Sequence, residues 1–142
     1  MKLRDVMTKN ATFLNVNDNI EKAAQIMKDQ NIGSVPVCEG NKVVGIVTDR
    51  DITIRATAAE NKSNGETNVR SIMTSNPVTA SPDMDVHEAA KIMSDKQIRR
   101  LPVVENNSLV GMVALGDLAT DPLLSDNAGE ALKNISEPYN VE

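Results

Sequence analysis

The sequence predicts an α/β (α+β) fold built from two copies of one β-α-β-β-α unit, and three observations carry that expectation. A shift of 66 residues lays Leu3–Thr53 over Val69–Ala119 without a gap, and 18 of the 51 pairs are identical. Each copy repeats apolar residues at helical spacing: Ile20, Ala23, Ala24 and Met27, then Val86, Ala89, Ala90 and Met93. That spacing of three, four and seven marks one buried helix face. Each stripe precedes two β-rich runs parted by a polar turn. So regular a duplication makes each copy a structural unit, and function is expected where the copies meet and where they differ.

In order along the chain, each copy opens on a short helical turn (Leu3–Met7; Val69–Met73) that ends at a Thr-x-Asn cluster. An extended segment follows, Ala11–Val16 and Val78–Ser81. Asn17-Asp18-Asn19 and Ser81-Pro82-Asp83 then supply side chains that cap helix starts. After each helix the strands are Ser34–Cys38 with Val43–Val47 and Leu101–Val104 with Leu109–Val113, joined by turns rich in Asn and Gly. Second helices start near Asp49–Asp51 and Gly116–Asp117. The expected organisation is motif 1 over 1–59, a polar linker over 60–68, motif 2 over 69–127, and a C-terminal helix (Ala128–Ile135) with a tail over 128–142.

Composition narrows the function. A unit of 50–60 residues has a marginal core, so the copies are expected to pack together. The core is aliphatic, with seven Met, one Phe, one Tyr and no Trp; Phe13 is expected inside it, the alternative being a place against a ligand. Few aromatics and a net charge of −5 weigh against nucleic-acid binding, which relies on stacking surfaces and cations. Cys38 is the lone cysteine and sits in an apolar run, as expected of an inert core thiol. His87 falls on the polar side of a helix, and the acidic residues are dispersed, so no nucleophile, base or metal set assembles and an enzyme is not expected. No apolar run approaches the roughly 20 residues of a membrane span. Met1-Lys2-Leu3-Arg4 lacks the apolar block of a signal peptide, which reads as cytoplasmic.

The doubled Met-Thr opening, the Ala-Ala-x-Ile-Met helix, the Pro-Val strand and Gly45-Ile46-Val47-Thr48-Asp49-Arg50-Asp51-Ile52 resemble a tandem pair of CBS (cystathionine-beta-synthase) domains. The match covers Leu3–Ala119, about four-fifths of the chain. The resemblance implies two CBS motifs packed with pseudo-twofold symmetry into one compact disc. It also implies two clefts for adenosine-containing ligands: AMP, ADP, ATP, S-adenosylmethionine, NAD or cyclic di-AMP as a regulatory ligand, with no obligatory cofactor. It further implies a non-catalytic regulatory module that signals to a partner protein, and a homodimer like those of the small stand-alone members. The alternative is a dimerisation and interaction module that needs no ligand.

Thr48 and Asp51 flank the junction of a strand and a helix. A carboxylate there can accept from both hydroxyls of a ribose, and the two residues can equally cap the helix. The family's ribose pattern, Gly-x-x-Thr/Ser-x-x-Asp, fits Gly45, Thr48 and Asp51. Copy two keeps Asp117, expected either as a weaker second ribose site or as a cap alone, but has Ala114 in place of the hydroxyl, the feature that favours the ligand-independent alternative. Arg99 and Arg100 stand where copy one has Gly33 and Ser34. Guanidinium groups suit phosphate oxygens, and basic residues at this position contact phosphates in similar CBS pairs; the other expectation is solvation or pairing with Glu105. Arg50 and Arg55 are further cationic candidates. By resemblance, a base would lie against Thr12–Leu14 and Val35-Pro36-Val37, read by main-chain groups.

Overall fold

A short 3-10 turn, Leu3–Asp5, leads into strand β1 (Thr8–Lys9). The chain continues through β2 (Leu14–Asn15), α1 (Ile20–Gln30), β3 (Ser34–Glu39), β4 (Lys42–Thr48) and α2 (Asp49–Asp51), which runs on as a π-helical stretch, Ile52–Thr57. The second copy repeats the order: a 3-10 turn (Val69–Ser71), β5 (Thr74–Ser75), α3 (Val86–Lys96), β6 (Arg100–Glu105), β7 (Ser108–Ala114), α4 (Leu115–Ala119) and then α5 (Ser125–Ser136). The structure, a computed structural model, describes residues 1–57, 67–119 and 125–136. Residues 60–66 of the expected linker and 137–142 of the expected tail lie outside the described residues.

Local chemistry sets the helix limits. Asn19 caps α1 by accepting the Lys22 N–H at 2.9 Å, and Asn31 ends it in the left-handed region at φ 54°. For α3 the cap is Asp85, which accepts the His87 N–H at 2.8 Å. The expected Ser81-Pro82-Asp83 cap is therefore displaced. Those residues form a turn that receives the chain's opening, with Arg4 N–H donating to Pro82 O at 3.0 Å and Leu3 N–H to Met84 O at 2.9 Å. The β6–β7 turn carries Asn106 and Asn107 at φ 52° and 65°, the two successive positive values that a tight hairpin needs.

Two compact units form, and neither follows the halves of the chain. One holds Thr12–Pro77 with Asn107–Leu109; the other holds Met1–Ala11, Val78–Asn106 and the described residues from Val110 on. In the first, the sheet order is β2-β3-β4-β5, with β2 parallel to β3 and the other pairs antiparallel. Its core gathers Leu14, Val16, Ile20, Ala23, Met27, Val35, Val37, Val47, Val69 and Met73. The extended segment alternates, with Leu14 and Val16 buried, so Phe13 turns the other way and is 43% exposed rather than in the core.

In the second unit β1 pairs β7 and β7 pairs β6. A single parallel bridge, Ala80 to Val103, stands where the first unit has β2. Leu3, Val86, Ala89, Ala90, Met93, Leu101, Val103, Val113 and Leu118 build its core, together with Ala131 of α5. Asn134 of α5 donates from Nδ2 to Ser94 Oγ at 2.6 Å, and its carbonyl accepts from Gln97 Nε2 at 3.1 Å. The apolar stripe corrects at one position. Ala90 is buried, whereas its counterpart Ala24 is exposed, because the first unit has no equivalent of α5 among the described residues.

Each unit is thus completed by the opening of the other repeat: β5 on β4, and β1 on β7. The approach is close enough to require glycine. A Cβ on Gly111 would lie 2.8 Å from Thr8 O and 2.8 Å from Met7 Sδ, and Gly45 meets Met73 and Thr74 in the same way. Gly111→Ala is therefore expected to lower stability by about 1–3 kcal/mol through overpacking, read as a lower urea midpoint at unchanged slope. An unchanged midpoint would mean that the segment shifts freely.

Candidate functional site

The β3–β4 ladder of the first unit pairs Ser34 with Thr48, Val35 with Val47, Pro36 with Ile46 and Val37 with Gly45. Val35, Val37 and Val47 are fully buried in the core. Side chains alternate along a strand, so Ser34, Pro36, Ile46 and Thr48 share the opposite face. This face carries two hydroxyls at one end and apolar surface beside them. The side chains of Val35 and Val37 are committed to the core and cannot cover a base. Their main chain remains, and β2 borders β3 only at Val37 and Cys38, leaving Ser34–Pro36 past the end of that strand.

Thr48 ends β4 and begins α2, and the turn is a reciprocal capping box. Thr48 Oγ1 accepts the Asp51 N–H at 3.0 Å, and Asp51 Oδ2 accepts the Thr48 N–H at 2.9 Å. Asp51 is only 9% exposed. Its second oxygen, Oδ1, forms an ion pair with Arg55, whose Nε lies 3.7 Å away, longer than a hydrogen bond. The same guanidinium is also anchored by main-chain carbonyls. Its Nη1 donates to the carbonyls of Ile72 and Met73 at 3.2 and 3.4 Å, which ties the helical stretch after Asp51 to the second repeat's opening turn. The arrangement leaves Thr48 with a hydroxyl hydrogen to donate and Asp51 with a carboxylate oxygen to accept. Arg50 is exposed. Thr12 exchanges hydrogen bonds with Gln30 at 2.9 and 3.1 Å.

The second unit preserves half of this turn. Asp117 Oδ2 accepts the Ala114 N–H at 2.8 Å, and Ala114 has no hydroxyl to complete the box. Arg99 is exposed, and its carbonyl accepts the Leu115 N–H at 2.8 Å; Arg100 is half-buried at the start of β6. Neither guanidinium has an ion-pair partner among the described residues. Glu105, the acid expected beside them, instead lies 3.8 Å from Arg4. Ser34 is a residue that the sequence did not single out, and it faces Thr48 across the ladder. The signal available was its alignment with Arg100.

Cys38 is 1% exposed, and burial pushes its thiol up from the ordinary range, which disfavours the thiolate. His87 is exposed, with Nδ1 2.7 Å from Asp85 Oδ1. Among the described residues, no three His, Cys, Asp or Glu gather to hold a metal, and no helix is long and apolar enough to cross a membrane.

A family model described as CBS domain matches residues 3–56 and 69–121. The chain is 42% identical over 134 residues to the CBS domain-containing protein YhcV of Bacillus subtilis (strain 168), across 94% of each chain. Among solved structures, it is similar to the CBS domain pair of protein MJ0100 in complex with 5′-methylthioadenosine and S-adenosyl-L-methionine. There the identity is 33% and the TM-score 0.74, over 84% of this chain and 93% of that one. It is also similar to the CBS domain protein TA0289 of Thermoplasma acidophilum, at 26% identity and TM-score 0.79, over 94% of this chain and 75% of that one.

Proposed function

The chain belongs to the CBS domain family as a tandem pair, and from that premise we propose that it is a non-catalytic regulatory module that senses an adenosine-containing ligand and signals its presence to a partner protein. Thr48 and Asp51 hold the ribose, Asp51 through Oδ1 and Thr48 through its hydroxyl hydrogen. Main-chain groups of Val35, Pro36 and Val37, beside Thr12, border the base. Arg99, Arg100 and Arg50 are the cations for phosphate, and Asp117 is a second, weaker ribose position. AMP, ADP and ATP are the first ligands to consider, with S-adenosylmethionine, NAD and cyclic di-AMP next.

The observation that carries this reading is the nine-tenths-buried Asp51, whose Oδ2 is fixed by the cap while Oδ1 accepts no hydrogen bond and has Arg55 Nε at ion-pair distance, 3.7 Å. The relative solved with two adenosine derivatives is 33% identical, which supports the ligand class.

A melting scan against AMP, ADP, ATP, S-adenosylmethionine, 5′-methylthioadenosine, NAD and cyclic di-AMP tests the reading. A ligand at about 100 times its dissociation constant adds about 2.7 kcal/mol to stability, which raises the midpoint by several degrees. No shift with any of these ligands would leave the ligand-independent interaction module as the better account.

A further inference from the structure

Arg55 stands four residues beyond Asp51, the spacing at which a carboxylate and a guanidinium face each other on a helix. Its planar group meets two kinds of acceptor at once. Nε lies 3.7 Å from Asp51 Oδ1, while Nη1 donates to Ile72 O at 3.2 Å and to Met73 O at 3.4 Å. Those carbonyls follow the 3-10 turn Val69–Ser71, and the chain then enters β5, which pairs with β4 at Gly45 and Ile46. All of these residues belong to one compact unit. A guanidinium can span such a set because its donors are fixed in one plane. A lysine ammonium is a point charge on a flexible stem and cannot hold carboxylate and carbonyls in one arrangement.

The repeat offers an internal comparison. The 66-residue shift lays Arg55 on Asp121, so the second copy has no cation four residues beyond Asp117. Both opening turns do share another fastening. Arg4 of the first reaches Asp83 and Glu105, and its counterpart Arg70 of the second lies 3.0 Å from Glu39. The Arg55 tether is added to that fastening only in the copy whose capping box is complete; it is lost together with the hydroxyl, which Ala114 replaces. Were the tether merely a means of holding an opening turn, it would have no reason to accompany the box.

We infer that Arg55 is a positioning residue, which aims Asp51 Oδ1 at the ligand and couples its occupancy to the opening turn of the second repeat. This rests on the proposed ribose role of Asp51 and adds the regulation of that site. The cap fixes Oδ2, and Arg55 fixes the direction of Oδ1. At 3.7 Å the guanidinium leaves the lone pairs of Oδ1 to a ligand. A ligand that binds the oriented carboxylate best also favours the arrangement in which Ile72 and Met73 are tethered. The coupling is reciprocal: a ligand steadies the turn, and loosening the tether weakens binding.

The test is calorimetric titration of native protein, Arg55→Lys and Asp51→Ala with 5′-methylthioadenosine, each with a melting curve, joined to amide hydrogen exchange with and without saturating ligand. The amides of Ile72 and Met73 both donate to Val69 O, and their counterparts Val6 and Met7 donate to Leu3 O in the first opening turn, which serves as the internal control. Arg55→Lys is expected to bind about 5-fold more weakly, the lower end of coupling between sites. In native protein the ligand should slow exchange at Ile72 and Met73 about 5-fold more than at Val6 and Met7, and in Arg55→Lys that difference should vanish. An arginine that only stabilises the fold would move the melting curve and leave the difference in place. Unchanged affinity in Arg55→Lys, or an exchange difference that persists in it, would overturn the role of Arg55, while binding lost in Asp51→Ala would leave the ribose site standing. Binding that survives undiminished in Asp51→Ala, or no binding to native protein, would overturn both.

Discussion

Leu3→Ala is expected to destabilise the protein by about 2–5 kcal/mol, the range for emptying a leucine site in a packed core. The third residue of a chain is ordinarily a place of fraying and tolerance. Leu3, however, is fully buried, and it packs in the cluster that holds Val86, Met93, Leu101 and Val113, all of them distant in sequence. Its N–H and that of Arg4 are bonded to Met84 and Pro82. Truncation would therefore open a cavity in the second unit although the substitution lies in the first repeat. Urea denaturation reads the loss directly. Phe13→Ala is the control: the side chain is much larger and half-exposed, so the change should stay within about 0.5 kcal/mol. Equal effects from the two variants would mean that the opening turn is not part of the core.

That result would also bear on how far the chain can be read without coordinates. Internal duplication, helical stripes and strand pairs are legible because periodicity is a property of one segment at a time. The exchange of opening segments is not legible. Nothing in Leu3-Arg4-Asp5 or Val69-Arg70-Ser71 says whose sheet they will complete, since a strand of two residues has no pattern and its partner is chosen by tertiary packing. Glycine marks the place in retrospect, at Gly45 and Gly111, where another backbone comes too close for a Cβ. Phe13 and Ala24 depart from expectation for related reasons. Phe13 lies on the wrong parity of a segment whose buried members are Leu14 and Val16. Ala24 repeats Ala90 in sequence, but its unit has no helix like α5 among the described residues to cover it.

The site shows the same division. Thr48 and Asp51 are legible as a pair because a hydroxyl and a carboxylate three residues apart at a helix start form a capping box, and the box is there. Ser34 is not, since its place depends on register. Only the pairing of Ser34 with Thr48 puts the two hydroxyls on one face. In sequence Arg55 is one cation among several; in the fold it is occupied by the carbonyls of Ile72 and Met73.

The capping box also means that Asp51 has two separable roles, and paired substitutions can part them. Asp51→Ala removes the acceptor for the part-buried Thr48 N–H, which should cost about 1 kcal/mol of stability. It should also weaken binding of an adenosine ligand at least about 100-fold, because hydrogen bonds to a charged acceptor contribute about 1.5–3 kcal/mol each and a ribose would make two. Asp51→Asn retains an amide oxygen of the same reach, so the cap persists and the melting temperature should fall little. Its neutral oxygen is the weaker acceptor, so affinity should still drop about 10-fold or more. Binding and stability then change independently, in a way that a purely structural carboxylate cannot reproduce. If Asp51→Asn bound 5′-methylthioadenosine or AMP within about twofold of the native protein, the carboxylate would be a helix cap and nothing more. Sensing would then have to be sought at Asp117 and the arginines of the second repeat.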